Sequence, residues 1–413
     1  MRIIVQKFGG TSVATPQVRE LVLRKIEKAR DQGFSPVVVV SAMGRRGDPY
    51  ATDTLLDLTR AACGSPAARE LDQVMCCGEM ISAVVMTATL QSAGMDAVML
   101  TGGQAGIITD GNFGNGRILK VDPSHIKGFL KLGKIPVVCG FQGVSVDGEL
   151  TTLGRGGSDT TGAVLGAALN AEMVEIYTDV DGIMTADPKI VDNAKILDYI
   201  SYGEVCQLAH QGAKVIHPRA VEIAMQKNIP LTIKSTFSDA PGTLITHVAA
   251  ENLSGAEITD RIATGVTYLS PIAQIKIKLE DNAMDAGSRV FRTMADAAIN
   301  VDLINVHPGG IMYTVAEEAA EQAMTKLERL GYSATVLKGC AKVSVVGGGI
   351  SEVPGVMASF VEALSEHRIA VLQTVDSHTS ISVLIHQQDV VTAVTSLHEK
   401  FNLSDNFTQE EFL

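Results

Sequence analysis

Apolar residues over positions 1 to about 245 follow two alternating rhythms. Short, nearly unbroken apolar runs at 2–6 (RIIVQ), 36–40 (PVVVV), 96–100, 135–138, 174–177 and 231–234 read as strands. The β-branched run at 36–40 reads as a strand buried on both faces. Between the runs, apolar residues recur every three or four positions. Val18, Leu21, Val22 and Ile26 predict a helix over 18–30, and similar patterns predict helices over 55–62 and 78–93. Strands alternating with helices predict an α/β fold with a mostly parallel sheet sandwiched by helices. Such sheets take ligands at the carboxyl ends of their strands.

The pattern changes after the turn-rich stretch 238–242 (SDAPG). Beyond it an internal repeat emerges: 290–301 and 360–371 share their apolar pattern 70 positions apart. A strand precedes each copy (275–279, 342–346), two strands follow each (301–306 and 312–315; 371–375 and 381–385), and a second helix closes each (319–330, 390–401). This βαββαβ order is ferredoxin-like and present twice. The expected division is 1–245 as one domain, 261–336 as the first repeat and 337–407 as the second, which borrows a strand from about 261–268.

Composition narrows the function classes. Thirty-four basic against 46 acidic side chains give a net charge of −12, which opposes a broad nucleic-acid surface. There is no Trp, and aromatics are 4% of the chain, poor material for base stacking. No basic stretch precedes a long apolar one at the N-terminus, so no signal peptide is expected. The longest purely aliphatic run, 37–40, falls far short of the roughly 20 residues that span a bilayer. Six cysteines without C-x-x-C spacing read as reduced thiols in a cytoplasmic protein with no membrane partner. The adjacent Cys76 and Cys77 read as small residues in or beside a helix. His210 and His217 read as core or surface residues, and no metal site is expected.

Three loops carry the chemical signal. Residues 7–12 (KFGGTS) follow a strand, and adjacent glycines there let an anion approach the backbone, with Lys7 adding a point charge. Residues 151–161 (TTLGRGGSDTT) lead into a small-residue helix. Arg155 suits a carboxylate or phosphate through two parallel hydrogen bonds, and Asp159 either caps that helix or holds an ammonium group. Residues 178–188 (TDVDGIMTADP) form either a turn alone or a ligand loop at a strand's carboxyl end. The Walker P-loop, a G-x-G-x-x-G turn, the protein-kinase H-R-D and D-F-G pair, the G-x-S-x-G elbow and H-E-x-x-H are all missing from the sequence.

Together these loops resemble the amino-acid kinase superfamily, and within it the aspartokinases. The resemblance rests on KFGGTS at 7–12, VVVVSAMG at 37–44, CGEMIS at 77–82, GFQG at 140–143, TTLGRGGSDTT at 151–161, YTDVDGIMTADP at 177–188, GAKVIHPRAVE at 212–222 and PLTIKSTFSDAPGTLI at 230–245. Two ACT-type repeats extend it over essentially the whole chain. The insertion at 45–50 (RRGDPY) looks like the diaminopimelate-sensitive, monofunctional subtype.

The resemblance implies an amino-acid-kinase-type catalytic domain that uses ATP to phosphorylate the side-chain carboxylate of L-aspartate. The product, 4-phospho-L-aspartate, opens the pathway to lysine, diaminopimelate, threonine and methionine. It further implies that Lys7 neutralises the transferring phosphoryl, cradled by Phe8, Gly9 and Gly10. Arg155 would hold the α-carboxylate of aspartate, and Glu79 and Asp159 its ammonium group. Ser41, Thr52 and Ser158 would add smaller hydrogen bonds. Thr178, Asp179, Met184, Lys189, Lys214 and Val215 match positions that hold ATP, with Mg²⁺ riding mainly on ATP phosphates. For Glu79, a helix N-terminal acid complementing the dipole stands as the alternative.

ACT repeats imply feedback by an amino acid and a homodimer, or higher assembly, joined through them. Effector candidates are Asn282, Met284, Asp285, Asn300 and Asn305. Meso-diaminopimelate is favoured, with lysine and threonine as alternatives. The first repeat's turn departs from the family's D-x-P-G, carrying Met284-Asp285 where the second repeat has Pro354-Gly355.

Overall fold

The computed structural model describes residues 1–213, 215–247, 262–279, 284–350 and 353–404. The chain divides into two compact units. One comprises Met1–Ile183, Ile196–Ala209 and Lys214–Asn252, and the other Met184–Lys195, His210–Ala213 and Leu253–Leu413.

The first unit runs β1 (Arg2–Phe8), α1 (Gly10–Val13), α2 (Pro16–Asp31), β2 (Phe34–Val40), α3 (Thr52–Ala62), α4 (Ala68–Ser92), β3 (Ala97–Leu100), β4 (Ile107–Thr109), β5 (Ile118–Val121), α5 (Ser124–Lys131), β6 (Ile135–Cys139), β7 (Gln142–Ser145), β8 (Leu150–Thr152), α6 (Gly157–Leu169) and β9 (Met173–Thr178). It continues with β10 (Tyr199–Ser201), α7 (Tyr202–His210), α8 (Pro218–Lys227), β11 (Leu231–Ser235) and β12 (Thr243–Thr246). The main sheet has the order β10-β12-β11-β9-β1-β2-β6-β3, parallel except where β12 meets β11. Its registers place Phe8 beside Val40 and Tyr177, Val40 beside Cys139, and Thr178 beside Ser235. The loops that follow these residues therefore leave from one edge of the sheet. A smaller sheet, β5-β4-β7-β8, stands apart. Its strands of three or four residues are too short to show a period, which is why the apolar pattern gives no hint of them.

Helix α2 shows how the sequence encodes its elements. Thr15 caps it by accepting from the Val18 N–H, and Pro16 occupies the first turn, where no N–H is needed. Val22, Leu23, Ile26 and Ala29 form its buried stripe, the first three packed with α4 and the central strands. Helix α4 begins ten residues before the expected start at 78, so Gly78 lies inside it. A Cβ there would stand 2.9 Å from the Ala42 Cβ. Gly78 marks a close approach of the chain, not a helix start. By length and composition α4 could cross a membrane. Here its buried stripe of Asp72, Cys76, Glu79, Ala83, Met86 and Leu90 packs into the unit. Cys76 is buried and Cys77 exposed on the same helix, both as free thiols.

The second unit is built on one six-stranded sheet, β14-β15-β13-β16-β18-β17. Its elements are β13 (Gly265–Lys278), α9 (Met284–Asp296), β14 (Asp302–His307), β15 (Gly310–Ala316), α10 (Ala320–Arg329), β16 (Ala334–Val346), α11 (Val356–Glu366), β17 (Gln373–Ser377), β18 (Ser380–His386) and α12 (Val390–Lys400). The repeat is visible in the backbone. Helices α9 and α11 are each followed by a left-handed residue, Ala298 and Arg368, 70 positions apart. Strand β13 serves both copies: Gly265–Leu269 pairs with the second repeat's β16, and Ile272–Lys278 pairs with β15 of the first. Helices α9 and α10 cover one apolar core, and α11 and α12 another.

The sequence reading takes 1–245 as one domain, whereas Met184–Lys195 and His210–Ala213 group with the second unit. Ala186 and Val191 join the core beneath α11 and α12. The Thr185 carbonyl accepts the Val266 N–H at 2.7 Å, and its hydroxyl lies 2.9 Å from Nε2 of the fully buried His398. Two apolar residues in a turn-like stretch carry no local signal of a core more than 70 residues downstream.

Candidate active site

Strand β1 ends at Phe8, and the chain turns sharply into the four-residue α1. The Gly9 N–H bonds the Tyr177 carbonyl, and the Ser41 N–H bonds the Phe8 carbonyl, so the loops after β1, β2 and β9 are tied together. The two glycines differ in use. A Cβ on Gly10 would fall 2.6 Å from the Ala42 carbonyl, so that side is filled by the 41–44 loop. Around Gly9 the nearest atom, the Tyr177 carbonyl oxygen, would be 3.6 Å away, an ordinary van der Waals contact. The Phe8 side chain belongs to the core and not to a phosphoryl cradle. It is fully buried and stacked on Tyr177 with ring centroids 4.8 Å apart.

A cavity of about 300 Å³ opens here and gathers Lys7, Ser41, Thr52, Glu79, Ser158 and Asp159, with Gly10 and Gly156 in its wall. The Lys7 ammonium lies 2.6 Å from Asp159 Oδ1, both side chains largely buried. Their contact is an ion pair by distance, without the angles of a hydrogen bond. Asp159 sits in the first turn of α6, but the helix receives no side-chain cap and starts from Gly156 in the left-handed region. Of the two readings of Asp159, the capping one is thus not realised.

Glu79 lies in the middle of α4, which removes the alternative of a helix N-terminal acid. It is 2% exposed. Its Oε1 accepts the Ala42 N–H at 3.1 Å, and its Oε2 has no protein partner. Burial pushes the carboxyl up to about 8, with the Ala42 N–H opposing the shift. Glu79 therefore holds its proton at neutral pH until a cation reaches it.

Arg155 does not line the cavity, although its neighbours Gly156 and Gly157 do. Its side chain is exposed. Gly154 and Gly156 on either side adopt φ of +76° and +69°. A Cβ on Gly156 would stand 2.2 Å from the His217 Cβ, so the loop requires glycine twice over.

Thr178 and Asp179 leave the same sheet edge, and the Asp179 carboxylate pairs with Arg45 of the 45–50 insertion at 2.5 Å. Val215 is half-buried in the first unit, whereas Met184 and Lys189 belong to the stretch that folds with the second. Lys214 lies outside the described residues. Among the described residues no group of three His, Cys, Asp or Glu side chains is placed to hold a metal ion.

Of the effector candidates, Asn282 and the Met284 side chain lie outside what is described. Asp285, Asn300 and Asn305 are exposed, the last on the edge strand β14. The two turns differ as their sequences suggest. Gly355 precedes α11 with φ of +96°, while its counterpart Asp285 is already helical in α9.

The sequence reading missed Asp72 and Arg219, two charged residues that brace the glycine loop. Asp72 had a signal: it opens the apolar stripe that continues through Cys76, Glu79, Ala83 and Met86. Arg219 stands inside the quoted 212–222 motif, but nothing in the pattern marks it as half-buried.

Residues 2–235 match the amino acid kinase family, and residues 335–399 match the ACT domain. Aspartokinase 1 of Bacillus subtilis is 48% identical over 404 residues, covering 98% of this chain and all of that one. The aspartokinase of Mycolicibacterium smegmatis is 40% identical over 416 residues, covering 98% of this chain and 97% of that one. Among solved structures, E. coli aspartokinase III in complex with aspartate and ADP superposes with a TM-score of 0.79 at 24% identity, covering 97% of this chain and 99% of that one. The aspartate kinase from Synechocystis is 35% identical with a TM-score of 0.54, covering 97% of this chain and 69% of that one.

Proposed function

The chain belongs to the amino acid kinase family and, within it, to the aspartokinases, and on that premise we propose how its own residues carry the reaction. The activity is aspartate kinase activity: a phosphoryl group passes from a nucleotide to the side-chain carboxylate of L-aspartate. The finer reading takes ATP as donor and 4-phospho-L-aspartate as product, at the head of the lysine/diaminopimelate, threonine and methionine pathway. A carboxylate nucleophile is already ionised at neutral pH, so the site has no need of a general base. Alignment of the two reactants then does most of the work, on the order of 7–11 kcal/mol, with charge stabilisation supplying the rest.

The observation that carries this reading is the gathering of Lys7, Glu79, Ser158 and Asp159 in one cavity at the strand ends. Lys7 neutralises the transferring phosphoryl, which approaches over Gly9. Glu79 and Asp159 take the ammonium of aspartate, and Ser41, Thr52 and Ser158 add hydrogen bonds. Arg155 grips the α-carboxylate. Thr178, Asp179, Met184, Lys189, Lys214 and Val215 serve the nucleotide. Mg²⁺ fits a donor set supplied mainly by phosphate and water oxygens, as this small hard ion prefers. Bound with the nucleotide, it would shield the phosphate charge.

The ACT repeats read as the seat of feedback by an amino acid, with meso-diaminopimelate favoured, and as the joint of a homodimer or larger assembly in the cytoplasm. The test of the activity uses ATP, aspartate and hydroxylamine, which traps an acyl phosphate as its hydroxamate. Hydroxamate with aspartate is expected. Signal with glutamate and none with aspartate would move the chain to a different carboxylate kinase.

A further inference from the structure

Two charged residues outside the cavity grip the same two pieces of backbone from opposite sides. Asp72 on α4 is fully buried. Its Oδ2 accepts the Thr152 N–H at 2.8 Å, and its Oδ1 accepts the Thr152 hydroxyl at 2.9 Å. Both oxygens also take the Gly114 N–H, at 2.9 and 3.0 Å. From α8, Arg219 donates through Nη1 to the Leu153 carbonyl at 2.7 Å and through Nη2 to the Gly116 carbonyl at 3.0 Å. The anion thus collects N–H groups, and the cation collects carbonyls, from residues 114–116 and 152–153. A further bond, Gly116 N–H to the Thr152 carbonyl at 2.7 Å, ties the two pieces together. Four of these seven bonds end on Thr152 or Leu153, just before Gly154 and Arg155. Burial also draws the Arg219 guanidinium below its ordinary value, a sign that this charge is partly removed from water, where hydrogen bonds gain strength.

Arg155 itself has no such anchor. Its exposed side chain makes no hydrogen bond or ion pair with a described residue. Its direction is therefore set by the backbone that delivers it. We propose that Asp72 and Arg219 are positioning residues that clamp the backbone leading into the glycine loop and so aim Arg155 at the α-carboxylate of aspartate. The inference rests on the reading of Arg155 given above. A bidentate grip on a planar carboxylate tolerates little displacement, and misplacement by about 1 Å can cost about 100-fold in rate.

The experiment compares Arg155→Ala, Arg219→Met, Arg219→Lys and Asp72→Asn in the full chain. It measures kcat, KM for aspartate and ATP, and the inhibition constant of 3-aminopropanoate. That compound keeps the reacting carboxylate and the ammonium but lacks the α-carboxylate. Arg155→Ala should raise the aspartate KM about 10- to 100-fold, the loss of hydrogen bonds to a charged group. Arg219→Met should raise it about 10-fold, with the ATP KM and the 3-aminopropanoate constant unchanged within about twofold. Arg219→Lys keeps a charge for one carbonyl and should fall between. In the Arg155→Ala background, Arg219→Met should add nothing further. A parallel rise for aspartate and 3-aminopropanoate, or an unchanged aspartate KM, would overturn the clamp. If Arg219→Met fails to fold, Arg219→Lys and Asp72→Asn must still show the split. If Arg155→Ala leaves the aspartate KM unchanged, the reading of Arg155 is what fails, and the clamp falls with it.

Discussion

The ammonium of Lys7 and the carboxylate of Asp159 stand 2.6 Å apart, one at the end of a central strand and the other in the first turn of α6. Each therefore cancels the charge that the other brings to the cavity. Aspartate and nucleotide arrive with an ammonium and a phosphate respectively. On the roles proposed above, each ion exchanges the other for a substrate group as aspartate and nucleotide bind.

Lys7→Ala should lower kcat by at least ~100-fold, the scale of one preorganised charge stabiliser. Asp159→Asn should act mainly on the aspartate KM. Steady-state kinetics on both variants checks the pair. A Lys7→Ala enzyme turning over at the normal rate would remove Lys7 from the chemistry.

On the role proposed for Glu79, aspartate binding should depend on pH. The Glu79 carboxyl is raised to about 8 by burial, against an ordinary value of 4.5. Between those values the folded protein holds a proton that the unfolded chain has released. Stability therefore falls as pH rises through this window and levels off above it. Binding an ammonium needs the ionised form, so affinity moves the other way. The aspartate KM should fall as pH rises from about 6 to about 8 and flatten beyond. Glu79→Gln should abolish that slope, weaken aspartate binding and raise Tm at pH above about 8. A KM profile that keeps its slope in Glu79→Gln would assign the proton to another group.

Gly156→Ala tests the loop's backbone. The substitution meets an unfavourable left-handed conformation, about 1–2 kcal/mol for a residue with a Cβ. It also places a carbon 2.2 Å from the His217 Cβ. The expected result is a lower Tm together with a raised aspartate KM, because the strain is relieved by shifting the loop that carries Arg155. Thermal melts and kinetics on the same preparation show whether the two move together.

Effector identity follows from separate assays with lysine, threonine and meso-diaminopimelate. Diaminopimelate is expected to inhibit most strongly, and inhibition by lysine alone would refute that preference. Asn300→Ala and Asn305→Ala, on exposed positions flanking and within β14, should weaken inhibition about 10-fold, the scale of a lost hydrogen bond to a charged ligand. The uninhibited kcat should be retained.

Local pattern made the parallel sheet and the repeated ferredoxin-like topology legible, and motif resemblance supplied most of the cavity residues. Lys7 and Asp159 stand in glycine loops, which are local features, whereas Glu79 enters through the resemblance of residues 77–82 (CGEMIS) to the aspartokinases. What escaped depends on distance. Asp72 is an acid whose partners lie 42 and 80 residues away. The Phe8 ring looked like part of a ligand loop, but strand alternation sends it into the core against Tyr177. Gly9 and Gly10 read as equivalent, yet a Cβ on Gly10 would collide with the 41–44 loop while one on Gly9 would meet only ordinary contacts.

The stretch Met184–Lys195 packs with strands and helices that begin near residue 262. During synthesis it leaves the ribosome well before the partners that cover Ala186 and Val191 exist. Until those partners are made, Ala186 and Val191 have no core to enter. A fragment cut at residue 245 would make that state permanent, leaving those apolar side chains and Thr185 without the structure that receives them. Truncation at that point should thus produce a chain prone to aggregate, whereas substitutions at exposed positions of the repeats leave the core that receives Ala186 and Val191 intact.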